Sequence, residues 1–182
     1  MTSVVLQPSD DAQPAAWLVN SSIPWDRLAS FGPPAFDAYA RLWFGPGPDG
    51  QTNGPASRTS TDHAKVQALC ELLHAENGTP LDCYFAIWDG WPDLSEVVQR
   101  SPRIHIPHRA YCLLRGSLTD FDQWHPGETG FNLASFIWPA DHAWCIASDV
   151  DHGWAGIGAG TDTIERLLSQ SRLNITAADP EA

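Results

Sequence analysis

The chain is short of positive charge. Among 182 residues there are 10 Lys+Arg against 22 Asp+Glu, a formal net charge of −12, and Lys65 is the sole lysine. A general nucleic-acid binder needs a basic face, which ten dispersed cations do not supply, and an anionic membrane surface is excluded on the same ground. Charge of either sign is scarce, at 18% of residues against roughly 25% in an average soluble domain. No apolar run approaches the roughly eighteen residues of a membrane-spanning helix. The first residues, MTSVVLQPSDDAQPAAW, carry no basic stretch and two early aspartates, so no secretory signal is expected and the location is read as cytoplasmic. Cysteine is present four times without a Cys-x-x-Cys pair. Cys70, Cys83, Cys112 and Cys145 each sit in an apolar run and read as small buried hydrophobes.

Catalytic signatures are also missing. There is no Gly-x-Ser-x-Gly elbow. The stretch Gly45 to Ser60 holds four Gly and three Pro, but no Gly-Lys-Ser/Thr follows, so it reads as a flexible loop and not as a phosphate cradle.

Apolar and aromatic mass is abundant. Hydrophobic residues make up 43%, and nine Trp outnumber seven Phe and three Tyr. Such a chain folds rather than staying disordered. Residues 1–14 are polar and read as a flexible tail, 15–178 as a single globular domain, and 179–182 as a second tail. Ser21 to Leu28 carries a helix-start pattern, with a serine cap, Pro24 and Asp26, and the helix ends before Gly32. The run Phe36 to Phe44 fits strand or helix, with a strand favoured over its second half. Thr61 to Asn77 is a clear helix, its stripe formed by Val66, Leu69, Cys70 and Leu73.

Cys83 to Trp88 and Arg109 to Arg115 are apolar on both faces, as interior strands are. Ala134 to Trp138 and Ala143 to Ser148 flank Pro139-Ala140-Asp141-His142 and predict a hairpin. Trp154 to Ile157 continues the meander. Thr161 to Gln170 is a second helix, with Asp162 and Glu165 in a capping-box pattern, and Leu173 to Ile175 adds an edge strand. The expected fold is α+β: a mostly antiparallel sheet of five to six strands with two main helices packed on it.

From Trp17 onward the chain resembles an actinobacterial family of proteins of unknown function. The likeness is carried by Pro24-Trp25, Tyr84-Phe85-Ala86-Ile87-Trp88-Asp89-Gly90 and Pro107-His108-Arg109-Ala110-Tyr111. Phe136 to Asp141, Trp144-Cys145, Asp149-Val150-Asp151 and Trp154 complete it. That resemblance implies no activity. The order of helix and antiparallel meander also resembles, at the level of fold alone, SUKH-type immunity proteins, which implies binding of a toxin or other protein without catalysis.

Three constellations are candidates for a binding site. In Trp88-Asp89-Gly90-Trp91, two indoles stand near a carboxylate, either as a recognition patch or with Trp88 in the core and Asp89 closing a turn. In His105-Ile106-Pro107-His108-Arg109, an extended stretch points the two histidines to opposite sides, which speaks against a metal pair. Arg109 leads into a buried strand in a cation-poor chain and calls for a carboxylate, internal or on a ligand. The third is Asp141-His142 with Asp149, Asp151 and His152. Its carboxylates suit a cation or acid–base work, and they equally suit turn closure.

The tryptophans divide into a core set (Trp17, Trp88, Trp138, Trp144) and a loop set (Trp25, Trp91, Trp124, Trp154). Loop tryptophans on an acidic surface suit binding of a basic protein. The function expected is a non-enzymatic protein-interaction module, immunity-like, with no cofactor and no metal. The alternative is a small-molecule hydrolase or ligand-binding enzyme built on Asp89, His108, Arg109, Asp149 or Asp151; the binding candidates as a whole are these five with Trp88, Trp91, Asp141 and Trp154.

Overall fold

The computed structural model describes residues 6–45, 60–77, 82–92, 94–121, 134–149 and 152–181. Most of the expected 45–60 loop, with Trp124 and Asp151, lies outside the described residues.

Strands β1 (Gln7–Pro8), β2 (Ala38–Trp43), β3 (Cys83–Trp88), β4 (Arg103–Ile106), β5 (Arg109–Gly116), β6 (Phe136–Pro139), β7 (Trp144–Ala147), β8 (Trp154–Ala159) and β9 (Ile175–Ala178) form one sheet. The α-helices among the described residues are α1 (Ala16–Val19), α2 (Trp25–Phe31), α3 (Ser60–Asn77), α4 (Glu96–Gln99), α5 (Leu118–Phe121) and α6 (Thr161–Ser169), with a 3-10 turn at Gln13–Ala15 ahead of α1. The strand order is β1-β5-β3-β6-β7-β8-β2-β9, with β4 also on β5, and every pairing is antiparallel. Helices on a large antiparallel sheet are the α+β arrangement the sequence predicts. None of the described helices is long and apolar enough to cross a membrane.

The strand count corrects the expectation of five to six: nine are present among the described residues. Two of the additional strands share one edge. β4 pairs with the first half of β5 and β1 with its second half, Gln7 opposite Arg115 and Pro8 opposite Leu114. Leu6 is fully buried beside β1, so ordered structure begins ahead of Ala15, within the stretch read as a tail. Arg115 adds ionic ties to Asp10 and Asp82.

The sheet is buried on both faces. Along β3 the side chains of Cys83, Phe85 and Ile87 enter one core, while Ala86 enters a second with Tyr84 and Trp88 packed against it. The first core is covered by α3 and α6, through Val66, Leu69, Cys70 and Leu73 at helical spacing and through Ile164 and Leu167. Each such leucine contributes about 1.5–3 kcal/mol on burial. The second core is covered by the N-terminal segment, with Leu18 of α1 and Leu28 of α2. The two-sided apolar strands required this cover on the second face as well as the first.

α2 reaches the sheet closely because β8 carries glycine where it passes. A Cβ on Gly156 would lie 1.8 Å from the Ser30 carbonyl oxygen, and one on Gly158 would lie 2.4 Å from the Phe36 ring. The helix stops at Gly32, whose φ of 73° is the left-handed conformation glycine favours. Its first residue follows Pro24, and no serine side chain caps it. α6 likewise starts after Gly160 with no side-chain cap. Asp162 lies in its first turn, where a carboxylate favours the helix dipole.

Candidate functional site

The Arg109 cluster forms where β3 ends and β5 begins. β4 and β5 are joined by the two-residue loop Pro107-His108, since Ile106 and Arg109 are already a Cα pair. Proline followed by His108 at φ 74° is the pattern of a type II turn. The stretch from His105 to His108 is therefore not extended throughout, so alternation along a strand does not fix the relative directions of the two histidines. The turn leaves His108 exposed and edge-on to Trp25, with ring centroids 6.1 Å apart.

Arg109 then points to the face covered by α2. Its guanidinium carbon lies 4.7 Å from the Trp88 ring centre and 5.9 Å from that of Trp25, and Nη2 is 3.5 Å from Oδ1 of Asp149. Side-chain exposure is 21% for Arg109 and 13% for Asp149, so the pair is largely shielded from water. The carboxylate that an arginine at the head of an apolar strand calls for is thus internal. Tyr111, two residues on and on the same face, is buried. Burial pushes its phenol upward, the charge of Asp149 adds to this, and Arg109 opposes it.

The remaining sequence candidates divide among other places. Asp89 turns away and approaches Arg103 of β4 at 3.8 Å. Trp91 meets Trp88 edge-on at 5.4 Å and packs against the first core. Gly90 lacks a side chain for a reason the sequence did not disclose: a Cβ there would lie 2.2 Å from the Trp88 indole. Trp154 belongs to a second stack. It lies parallel to His152 at 4.6 Å, and the Arg41 guanidinium carbon is 4.7 Å from it and 5.2 Å from Phe31. The first and last residues of α2, Trp25 and Phe31, thus each rest on an arginine held over a strand tryptophan.

Asp141 is at the opposite end of the sheet. It closes the β6–β7 turn by accepting the Ala143 N–H at 3.0 Å, while His142 stacks on Trp17 at 4.0 Å. Burial holds the His142 imidazole below its ordinary range, and the neighbouring Asp141 opposes this. Among the described residues, the Asp, His and Arg candidates therefore do not line one cleft. Among the described residues, no three His, Cys, Asp or Glu side chains gather to hold a metal ion.

The four cysteines are buried and none forms a disulfide. Burial pushes the Cys83 thiol up to about 12 and that of Cys112 up to about 11, with Cys145 higher still, so these three are not poised as nucleophiles through their thiolates.

The tryptophan division holds in part. Trp138 and Trp144 are fully buried, but Trp17 and Trp88 are half-buried like Trp25, Trp91 and Trp154. The indole N–H groups of Trp138 and Trp144 have no hydrogen-bond partner, so these rings are held by packing alone.

A concavity with chemistry of its own lies elsewhere, where β2 begins and β9 ends. It is an open groove of about 640 Å³. Four carboxylates line it, those of Asp37, Glu165, Asp179 and Glu181, around the apolar side chains of Phe36 and Leu168. Its one lining cation, Arg27, is engaged by Glu181. Leu168 is one of two large apolar side chains that stand exposed among the described residues. The four acids come from three separate segments, with Asp179 and Glu181 two residues apart after β9, so no single local motif announces the groove.

Fold and side chains define a class: an antiparallel sheet sheathed by helices on both faces, with an acidic groove at one end and an internally paired arginine at the other. Comparison with protein-family models, with curated proteins and with solved structures found no match.

Proposed function

We propose that the chain is a non-enzymatic protein-interaction module, working in the cytosol, that takes a basic segment of a partner protein into the groove beside β2 and β9. The observation that carries this reading is the lining of the groove. Its four carboxylates exceed its single arginine, which is itself engaged, and Phe36 and Leu168 give it an apolar surface. A basic segment with apolar residues complements both features. The overall charge of −12 speeds encounter with such a partner and repels nucleic acid and anionic membrane. Binding without catalysis is also the role implied by the likeness to SUKH-type immunity proteins. The Arg109 cluster supports the same division of labour, because its cation is spent on Asp149 and two indoles.

The test is fluorescence anisotropy with a labelled ten-residue peptide of alternating lysine and valine, beside its glutamate–valine counterpart. The lysine peptide binds and the glutamate peptide does not. Binding weakens as salt is raised, and the double substitution Glu165→Lys with Asp179→Lys weakens it about tenfold or more. Equal binding of both peptides, or no effect of the double substitution, would overturn the reading.

A further inference from the structure

The two edges of the sheet are finished differently. One edge is divided between β4 and β1, both short. Pro8 lies within β1, Pro107 follows β4, and Arg103 and His105 stand along β4. Prolines, charges and short strands are the devices that keep an edge from pairing with another chain. The other edge is β9, with the sequence Ile-Thr-Ala-Ala; it is as short as β4 but carries neither proline nor charge within its length.

The register shows which backbone groups β9 leaves outward. The Trp43 N–H donates to the Asn174 carbonyl at 2.9 Å, and the pairs continue as Arg41 with Thr176 and Tyr39 with Ala178. Hydrogen-bonded and non-bonded pairs alternate along an antiparallel ladder. Ile175 and Ala177 therefore turn both N–H and C=O away from β2. Among the described residues no other strand pairs with that side, and Ala177 is exposed.

This row of outward groups is continuous with the acidic groove. Ala177, Ala178, Asp179 and Glu181 all line the groove, and α6 brings Glu165 and Leu168 alongside. We infer that the basic segment binds as an added antiparallel or parallel strand on β9, its backbone pairing with Ile175 and Ala177 while its cationic side chains reach the groove carboxylates. The inference rests on the proposed interaction function and specifies its mode. A second copy of this chain is a poorer occupant, because it would bring another net charge of −12 and another acidic groove to the same edge. Strand addition takes its affinity from main-chain hydrogen bonds and its choice of partner from alternate side chains. Here alternate cationic residues supply that choice.

The test uses the full chain and the same lysine–valine peptide, in two forms. One has ordinary amides; the other is N-methylated at every second amide, which removes donors from one edge while keeping every charge. A second methylated register covers the opposite edge. One of the two registers is expected to lose at least about tenfold in affinity. On the protein, Ala177→Pro removes an outward N–H and leaves the β2 ladder intact, and it is expected to lose a similar factor. Because the peptide arm leaves the protein untouched, it decides the question even if Ala177→Pro fails to fold. If the unmethylated peptide binds and neither methylation nor Ala177→Pro weakens it, strand addition is overturned while the acidic groove stands. No binding of the unmethylated peptide overturns both. Sedimentation showing a dimer that Ala177→Pro dissolves would assign the edge to a second copy and overturn the inference.

Discussion

At one end of the sheet, Arg109 lies over Trp25 and Trp88 and reaches Asp149. At the other, Phe36 and Leu168 share an open groove with four carboxylates and an arginine that Glu181 engages. Both places combine charge with apolar surface. In the first, charge and rings satisfy one another across the α2–sheet boundary, and the cluster serves to seat the helix. In the second, the acids exceed the available cations and remain at the surface. A cluster of striking residue types in a sequence can thus be a closed structural joint, while a site can be assembled from residues that no motif links.

Substitutions at the closed end should act on stability, with the largest effect where the backbones are closest. Gly156→Val places atoms against the Ser30 carbonyl, which is backbone and cannot rotate away. It should cost about 3 kcal/mol or more in urea unfolding, whereas Gly160→Ala, with open space around it, should be near neutral. An unchanged midpoint for Gly156→Val would show that α2 is not held against β8 as described.

Arg109→Met should follow, at about 2–3 kcal/mol, because it leaves Asp149 shielded without its cation and removes the guanidinium from two indoles. Adding Asp149→Asn should recover part of that loss. A strictly additive double variant would mean that the two side chains are not coupled.

Much of this architecture was legible in the sequence. β3 occupies the very residues expected, because a strand apolar on both faces leaves few alternatives. The β6–β7 hairpin and α6 follow their turn and stripe signals in the same way. β1 has two residues and a proline, and no local pattern marks it. β4 did carry a signal: Arg103-Ile104-His105-Ile106 alternates in period two, as a half-buried strand does. The partner of Arg109 was legible as a need for a carboxylate, though not as Asp149, since that pairing depends on β7 and β5 being brought together by strands between them. The groove was illegible because Asp37 and Glu165 join the acidic pair Asp179 and Glu181 only in the folded chain.

Smaller effects separate surface charge from joint. Asp89→Ala removes a half-exposed pair with Arg103 and should cost about 0.5 kcal/mol or less by thermal unfolding. A loss as large as that of Arg109→Met would place Asp89 in the structural joint. The last is a pH effect. Burial lowers the His142 imidazole from its ordinary value, so the unfolded chain takes up a proton at higher pH than the folded one. Stability from this group is present above the ordinary histidine range and falls as pH drops through it towards the folded value. Proton NMR should place the His142 midpoint below that of an unstructured histidine. A midpoint at or above that value would contradict the partial desolvation of this otherwise exposed ring by its stack on Trp17.

The contrast between the closed and open ends can be read in one spectrum. The Trp43 indole donates to Thr176 of β9 at 2.9 Å, while Trp25 and Trp88 sit in the Arg109 cluster. In a nitrogen–proton correlation spectrum with assigned indoles, the lysine–valine peptide should shift Trp43 and the amides of Ile175 and Ala177, leaving Trp25 and Trp88 in place. Shifts at Trp25 and Trp88 with Trp43, Ile175 and Ala177 unmoved would put the binding surface at the Arg109 cluster and contradict the assignment to the acidic groove and its edge strand.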